Sequence, residues 1–270
     1  MAQPENTSSM SFISSVKNVF SFYFLLGRTA RRTKVFYFIS LIPLMIAAFA
    51  KFAELVLQTH HLEGIYIFSN IIVAFYLQFL VLILALFFGT SICSEELEGK
   101  TLTYLTTRPV PKAALLLGKY AAYTLLIILI MAAGVILSFL ILNADGLTDP
   151  SRWRILFRYL GVLTLGLVCY TAFFTFIGTF LKRSILFGLI FSFGWENVIQ
   201  YFPGSTQRFV IAHYIKSLLP SPTTGRFSFL LFQLEPTPPG RAVVVLLVLT
   251  AVFLALACLV FSKKEYILED

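Results

Sequence analysis

The sequence contains few charged residues for its length. Only 13% of its 270 residues are Asp, Glu, Lys or Arg, whereas 58% are hydrophobic. An average soluble domain is roughly 45–50% apolar and about 25% charged. A soluble fold could not bury this excess of apolar side chains. The composition therefore excludes an ordinary soluble domain and predicts an all-α membrane protein with several spanning helices.

Cysteine and histidine are also scarce, with three residues of each. The cysteines are far apart, and no Cys-x-x-Cys or Cys/His ligand spacing occurs, so neither a disulfide framework nor a structural zinc site is predicted. His60, His61 and Glu63 carry metal-ligating groups, but adjacent histidines in a short loop are usually solvated, and we expect no metal there. The sequence shows no Ser/His/Asp or Cys/His constellation, and an enzyme is not predicted.

Acidic residues are outnumbered by basic ones, which gives a net charge of +8. In a soluble protein this balance would indicate a nucleic-acid partner. Here the basic residues cluster beside the ends of apolar runs, as in proteins that follow the positive-inside rule. We therefore expect a lipid bilayer and no nucleic acid among the partners.

Long apolar runs fill most of the chain. A helix needs about 20 mostly apolar residues to cross the hydrocarbon core of a bilayer. Six runs fit this need, and they predict a transmembrane domain over residues 35–262. The predicted spans are Val35–Leu57, Ile65–Ile92, Ala113–Leu142, Ile155–Leu181, Ser184–Tyr201 and Ala242–Phe261.

The segment before the first span is apolar but interrupted by Ser, Lys and Asn. Residues 11–27 are predicted to form an amphipathic helix at the membrane interface, within a cytoplasmic N-terminal region of residues 1–34. A short N-terminal helix without a membrane role is the alternative. At the other end, residues 263–270 are predicted to form a cytoplasmic tail.

The distribution of Lys and Arg predicts how the chain is oriented. With the N-terminus inside, thirteen of the 21 basic residues fall on the cytoplasmic side. Both termini are therefore predicted to be cytoplasmic, in a multi-pass protein of the cytoplasmic (inner) membrane. The basic cluster Arg152–Arg158 argues against this orientation. Near the outer end of the first span, Lys51 and Glu54 are one helical turn apart and are predicted to pair or to extend towards the interface.

Residues 203–240 form the longest predicted outer segment and contain six of the 11 prolines. Their two apolar islands, Phe209–Leu219 and Phe227–Leu234, are too short to cross the membrane alone. Each island is predicted either to lie flat on the outer surface as a short helix or to re-enter the membrane against neighbouring spans.

The segment Ser94–Tyr120, between the second and third spans, combines acidic and basic residues with two prolines. Because charge is costly in hydrocarbon, this segment is predicted to lie at the membrane surface. Its sequence EGKT at Glu98–Thr101 is similar to the end of a phosphate-binding loop. However, Ser94 replaces the first glycine of that motif, and a spanning helix precedes it instead of a strand. No nucleotide site is predicted in this chain.

The same segment contains an ordered set of short elements. They are an acidic run, a glycine and a threonine separated by one lysine, an apolar turn, a Pro-Val element with basic residues, and a Gly-Lys pair: Glu95-Glu96, Glu98-Gly99-Lys100-Thr101, Leu102–Leu105, Arg108-Pro109-Val110-Pro111-Lys112 and Gly118-Lys119. This order closely resembles the cytoplasmic loop of ABC-2 type transporter permeases. The six-span layout with a long last outer loop extends the resemblance to nearly the whole chain. Pro111 departs from the family pattern, which has a serine before the basic residue.

The resemblance implies an ABC-2 (ABCG-like) exporter fold and a permease subunit that forms a translocation pathway. It implies two copies of a separate ABC ATP-binding subunit, which bind ATP and Mg, and a second permease subunit, identical or related. This chain would bind no cofactor and have no catalytic residue. Loop 94–120 would provide the coupling helix that contacts the ATPase. The residues expected to transmit the coupling are Glu95, Glu96, Glu98, Gly99, Thr101, Arg108, Pro109 and Lys112.

Elementary helix chemistry agrees with a short helix in this loop. Gly99 is suited to end one helix and Thr101 to cap the next, while Pro109 and Pro111 would end that second helix before the third span begins. An ordinary solvated loop whose charges only fix the topology is the alternative.

Glu196 and Asn197 form the most conspicuous polar pair inside an apolar run. Ionisable residues within a membrane are functional candidates, and this pair is a possible substrate or gate site. If the fifth span is short, Glu196 would instead lie near the outer interface and cap or bridge helices.

Other functions remain open from the sequence. A membrane anchor or scaffold for an ATPase, without transport, would show the same features. An ion-coupled secondary transporter or a membrane enzyme would normally show several carboxylates or histidines at mid-span, and here Glu196 is almost alone. The resemblance to ABC-2 permeases implies ATP-driven export by a permease subunit, and this is the function we predict.

Overall fold

The computed structural model describes residues 12–57, 64–98, 111–181, 183–199, 205–219 and 237–263. Every regular element in these ranges is helical. The α-helices are α1 (Phe12–Thr29), α2 (Arg31–Leu57), α3 (Gly64–Ile71), α4 (Val81–Glu98), α5 (Lys112–Leu142), α6 (Pro150–Phe180), α7 (Ser184–Ile190), α8 (Asn197–Ile199), α9 (Ile211–Leu218) and α10 (Pro239–Lys263). π-Helical segments Ile72–Leu80 and Phe191–Glu196 join α3 to α4 and α7 to α8, and 3₁₀ turns lie at Ala144–Gly146 and Ser205–Phe209.

Five helical stretches in the described ranges are long and apolar enough to cross a membrane. They cover the first, second, third, fourth and sixth predicted spans: Arg31–Glu54, Ile67–Cys93, Lys112–Leu142, Pro150–Phe180 and Pro239–Lys263. The protein is therefore a multi-pass membrane protein. The predicted fifth span differs, because its apolar helical stretch, Ser184–Glu196, is short and becomes π-helical halfway. Helical residues continue through α8 to Ile199, where this described range ends, so the fifth span stays a prediction.

The two ends of the helical bundle are defined by contacts between successive spans. At one end, the guanidinium of Arg32, near the start of α2, lies 5.1 Å from the ring centroid of Phe88 and 4.7 Å from that of Tyr123. At the other end, Lys51 donates a hydrogen bond to Asp145, just beyond α5. We call the first the proximal end and the second the distal end. Helices α2 and α5 begin at the proximal end, where α4 ends.

The core of the bundle is formed mainly by α4, α5 and α6. Glycines allow these helices to approach closely. A Cβ atom at Gly89 would lie 2.8 Å from Cβ of Phe174, and one at Gly178 would lie 2.9 Å from the carbonyl oxygen of Thr90. Large aromatic side chains fill the remaining core: Phe68, Tyr76, Phe88, Tyr123, Phe139, Tyr159, Tyr170 and Phe174 are fully buried. By contrast, α2 and α10 lie at the periphery and expose apolar side chains, as expected for helices that face lipid.

The contact at Gly178 gives a stability prediction. Replacing Gly178 by alanine should lower the free energy of unfolding by about 1–3 kcal/mol, because the new methyl group would meet the backbone of Thr90, which cannot turn away. Gly161 on the same helix is a matched control, since no atom lies within 4 Å of a Cβ there. SDS-induced unfolding of the purified variants measures the difference. Equal stabilities of Gly178→Ala and Gly161→Ala would contradict the close packing of α4 on α6.

The predicted N-terminal helix is present as α1, and it packs along the start of α5. A Cβ atom at Gly118 would lie 2.6 Å from Cγ1 of Val19, and one at Gly27 would lie 3.2 Å from Cδ2 of Leu126. The two contact points are similarly spaced along both helices, so α1 runs beside α5 in the same direction. Its position relative to the bilayer stays a prediction.

The first apolar island of the 203–240 segment forms α9, and this helix packs deep against α6. A Cβ atom at Gly166 would lie 2.9 Å from Cδ1 of Ile215. At a rise of about 1.5 Å per residue, Gly166 is about 24 Å along α6 from Pro150 at the distal end. This depth favours re-entry over a helix that lies flat on the surface. The second island, Phe227–Leu234, lies outside the described residues.

Candidate functional site: the proximal end and a buried carboxyl group

The sequence-predicted coupling residues fall at the proximal end, where the structure describes part of them. Glu95, Glu96 and Glu98 lie in the last turn of α4, and Lys112 is the exposed first residue of α5. Gly99, Thr101, Arg108 and Pro109 lie outside the described residues. The fold therefore brings both ends of the 94–120 loop to one end of the bundle. The shape of the loop and its contact with an ATPase stay predictions.

Lys119 belongs to the Gly-Lys pair of the sequence motif and is almost completely buried. Its Nζ donates a hydrogen bond of 2.8 Å to the carbonyl oxygen of Ile92 in α4, and lies 4.6 Å from the ring centroid of Tyr23 in α1. A buried ammonium group is costly unless such groups compensate for the water it loses. Lys119 therefore ties α5 to both α4 and α1.

The neighbours of Lys119 contact other helices. Gly118 has no side chain, and α1 occupies the space: a Cβ there would also lie 3.0 Å from the carbonyl oxygen of Val16. Tyr120 donates a hydrogen bond of 2.9 Å from its hydroxyl to the carbonyl oxygen of Val168 in α6. We call Gly118, Lys119 and Tyr120 the α5 junction. These three consecutive residues connect α5 to α1, α4 and α6.

Aromatic rings continue this connection towards α2. The rings of Tyr23 and Tyr123 pack edge to face with centroids 6.2 Å apart, and those of Phe88 and Tyr123 with centroids 5.9 Å apart. Arg32 lies over Phe88 and Tyr123, as described above. Cation–aromatic and edge-to-face contacts of this kind stabilise packed helices. Four helices, α1, α2, α4 and α5, thus meet just inside the proximal end.

The second candidate site surrounds Glu196, which is only 1% exposed. Its Oε2 accepts hydrogen bonds from the hydroxyl of Tyr170 at 3.0 Å and from the backbone N–H of Ala212 at 3.1 Å, and its Oε1 accepts one from the N–H of Ile211 at 3.2 Å. These amides are the first two of α9, which have no acceptor within their own helix. The carboxyl group of Glu196 therefore caps α9 from another part of the chain.

The position of Glu196 along α6 shows how deep in the bundle its carboxyl group lies. Tyr170 lies about 30 Å along α6 from Pro150 and about 15 Å from Phe180. Its hydrogen-bond partner Glu196 is therefore well inside the bundle and not near the distal surface. The predicted alternative that Glu196 caps or bridges helices agrees with these contacts, while its depth in the membrane and its role in a gate stay predictions. Asn197 begins α8, and its side chain lies outside the description.

Polar contacts also join α9 to Thr237, two residues before α10 begins. His213 Nε2 and Thr237 Oγ1 are 3.0 Å apart, and the N–H of Thr237 donates to Ser217 Oγ at 3.2 Å. Lys216 is buried on the same helix, and its charge interacts with Glu196. Helix α9 thus links the short fifth helical stretch to α10.

At the distal end, ion pairs hold the connection between α5 and α6. Lys51 bonds Glu54 at 3.4 Å, which confirms the predicted pair, and it also bonds Asp145. The hydrogen bond from Lys51 holds the pKa of the exposed Asp145 carboxyl below its usual value. Asp149 caps α6 by accepting from the N–H of Ser151, which lowers the pKa of Asp149 as well. These contacts give the charged residues named here a structural role in holding the α5–α6 connection.

Sequence reasoning missed several residues of these sites. Tyr170 gave no signal, because a tyrosine in an apolar run is an ordinary packing residue. Lys119 was noted in the motif without a role, although a lysine seven residues inside a long apolar helix is itself a signal. Metal ligation gains no support, since the described residues hold no group of three or more His, Cys, Asp or Glu that could bind a metal. His60, His61 and Glu63 lie outside them.

We compared the chain with known proteins and with models of protein families. No curated protein matches the chain. A sequence model of the family described as "ABC-2 family transporter protein" matches residues 30–195. The match covers more than half of the chain, from the start of α2 to the residue before Glu196, and includes both ends of the 94–120 loop. The chain therefore belongs to the ABC-2 family of transporter membrane proteins.

Proposed function

We propose that this chain is the permease subunit of an ATP-binding cassette exporter. It forms the translocation pathway and couples ATP hydrolysis by a separate ATPase to export of a substrate. The observation that carries this proposal is the family match, which spans both ends of the 94–120 loop. Two ATPase subunits bind ATP and Mg, and a second permease subunit, identical or related, completes the pathway. The proximal end and both termini face the cytoplasm, in the inner membrane.

The packing of the bundle supports a way to transmit movement from the ATPase. The loop is connected on one side to α4 and on the other to α5, and both helices are packed into the core. A displacement of the loop therefore moves long helices as units, because close-packed interiors shift between discrete arrangements instead of deforming. ATP binding favours one arrangement of the spans by binding the ATPase–permease complex more tightly in that arrangement.

Glu196 and Asn197 are the proposed gate of the pathway. Glu196 holds the first turn of the re-entrant helix α9, and α9 is in turn attached to α10. Release of the Glu196 carboxyl group would free the first turn of α9 from Tyr170 of α6 and loosen the interior of the bundle. Asn197 follows directly and would contact substrate on the same side.

The proposed function is tested by isolating the chain from its native membrane under mild detergent. We expect an ATPase with Walker motifs to co-purify in a 1:1 ratio with the permease, as two copies of each in the assembly. The purified complex should hydrolyse ATP in liposomes and accumulate substrate on one side only when ATP is present. Absence of any ATP-binding protein would contradict the proposal. Binding of an ATPase without ATP-driven transport would support the membrane-anchor alternative instead.

A further inference from the structure

The α5 junction has a position that the proposed function does not yet explain. The hydrogen bond from Lys119 to the carbonyl oxygen of Ile92 joins two residues that flank the whole segment 93–118. This segment contains the predicted coupling loop. Lys119 therefore joins the two ends of segment 93–118, which we call its base, and its side chain is buried at the proximal end.

The same ammonium group also contacts α1. Its Nζ lies over the ring of Tyr23. The adjacent Gly118 has no side chain, which allows the backbone of α1 to pack against it at Val16. A single charged group thus bonds α4 and packs on α1, while its own backbone belongs to α5. Apolar packing alone would allow α1 to slide along α5, but a charged donor fixed between a carbonyl and a ring permits little such movement.

We infer that Lys119 is a positioning residue that locks α1 to the base of segment 93–118, so that α1 moves with this segment. Its relevance to coupling rests on the proposed function, in which the segment contacts an ATPase. The locking itself is a property of this chain alone. The ammonium group contacts the ring of Tyr23 on α1 and donates a hydrogen bond to the carbonyl oxygen of Ile92 on α4.

The locking is tested by hydrogen–deuterium exchange of the purified chain in lipid nanodiscs. Lys119→Met should raise amide exchange about tenfold or more both in α1 and in the last turns of α4, since opening becomes easier where a charged hydrogen bond is lost. Lys119→Arg should restore most of the protection, because a guanidinium also donates and packs on aromatic rings. Lys34→Met removes an exposed lysine at the same end and should change neither region.

A second variant separates the two contacts and does not depend on the folding of Lys119→Met. Tyr23→Leu removes the ring but leaves the hydrogen bond to Ile92. Exchange should then rise in α1 while the last turns of α4 stay protected. Increased exchange confined to α5 around residue 119, or unchanged exchange in α1 in both variants, would overturn the inference.

The role in coupling is measured on the complex with its ATPase. In the wild type, trapping with Mg-ATP and vanadate should change the exchange of α1. In Lys119→Met the amount of co-purified ATPase should stay within about twofold of the wild type. The exchange of α1 should no longer change on trapping with nucleotide, because segment 93–118 would then move without α1. A wild-type response of α1 in this variant would overturn the inference. Failure of any ATPase to bind the wild type would contradict the proposed function, and the exchange results on the chain alone would still decide the role of Lys119.

Discussion

Replacing Glu196 by alanine should lower the free energy of unfolding by about 3–5 kcal/mol, among the largest effects of a single substitution. The carboxyl group accepts three hydrogen bonds inside the bundle, from Tyr170, Ile211 and Ala212. Alanine leaves all three donors without this acceptor in a place that water reaches poorly. It also leaves the buried Lys216 without the negative charge with which it interacts. SDS-induced unfolding of purified protein gives the difference.

Glutamine at position 196 separates the effect of the hydrogen bonds to the carboxylate from the effect of the space that the side chain fills. The side chain has nearly the same shape, but its amide oxygen can accept from at most two of the three donors, and its NH₂ group would face donors. We expect Glu196→Gln to be destabilising by about 1–3 kcal/mol, between wild type and alanine. Glu54→Gln on α2 is the control, since Glu54 is only partly buried and bonds one lysine. Equal stability of wild type and Glu196→Gln would show that shape alone matters at this position.

The local effect of Glu196 variants should be confined to α9. Exchange of the amides of Ile211 and Ala212 should rise in Glu196→Ala, whereas the closely packed α4–α6 contact at Gly178 should keep its protection. For the proposed gate, transport and substrate-stimulated ATP hydrolysis should both change in Glu196→Gln. If both activities remain unchanged, Glu196 holds α9 for stability only and has no part in a gate.

The long spans could be predicted from the sequence because each is specified locally. An apolar run of sufficient length needs no knowledge of its neighbours to be identified as a membrane helix. The predicted bounds of the third span, Ala113–Leu142, differ from α5 by one residue. Composition says less about the fifth run. Its apolar residues extend from Ser184 to beyond Glu196, but composition does not reveal that Phe191–Glu196 is π-helical and that Glu196 contacts α9.

The two candidate sites depend on contacts between distant parts of the chain. Glu196 was identified as unusual from its charge, yet its partners Tyr170 and Ile211 carry no signal that would connect them with it. Lys119 was named only as part of the motif, and its acceptor is a backbone carbonyl, which no sequence pattern marks. The sequence therefore indicated that Glu196 is out of place, whereas the fold was needed to show that Lys119 is buried and what compensates for the burial of both groups.

Reversing the charges of Glu98 and Arg108 together should abolish coupling to the ATPase. Glu98 is the last residue of α4 and begins the predicted coupling motif Glu98–Thr101. In the proposed complex these charges face complementary groups in a groove of the ATPase. Two reversals turn attraction into repulsion at both ends of a small interface, and like charges across an interface cost several kcal/mol. Co-purified ATPase should fall more than tenfold, and permease-dependent ATP hydrolysis should be lost.

The double reversal needs a control for folding and insertion. Arg154→Glu changes an exposed charge by the same amount at the distal end, which the proposed orientation places away from the ATPase. It should leave co-purification and ATP hydrolysis at wild-type levels. The double variant itself should reach the membrane in normal amounts, because its net charge is unchanged and α4 and α5 keep their buried contacts. Intact co-purification with undiminished transport in Glu98→Lys/Arg108→Glu would count against an ATPase contact at this loop, and would favour a loop whose charges only fix the topology.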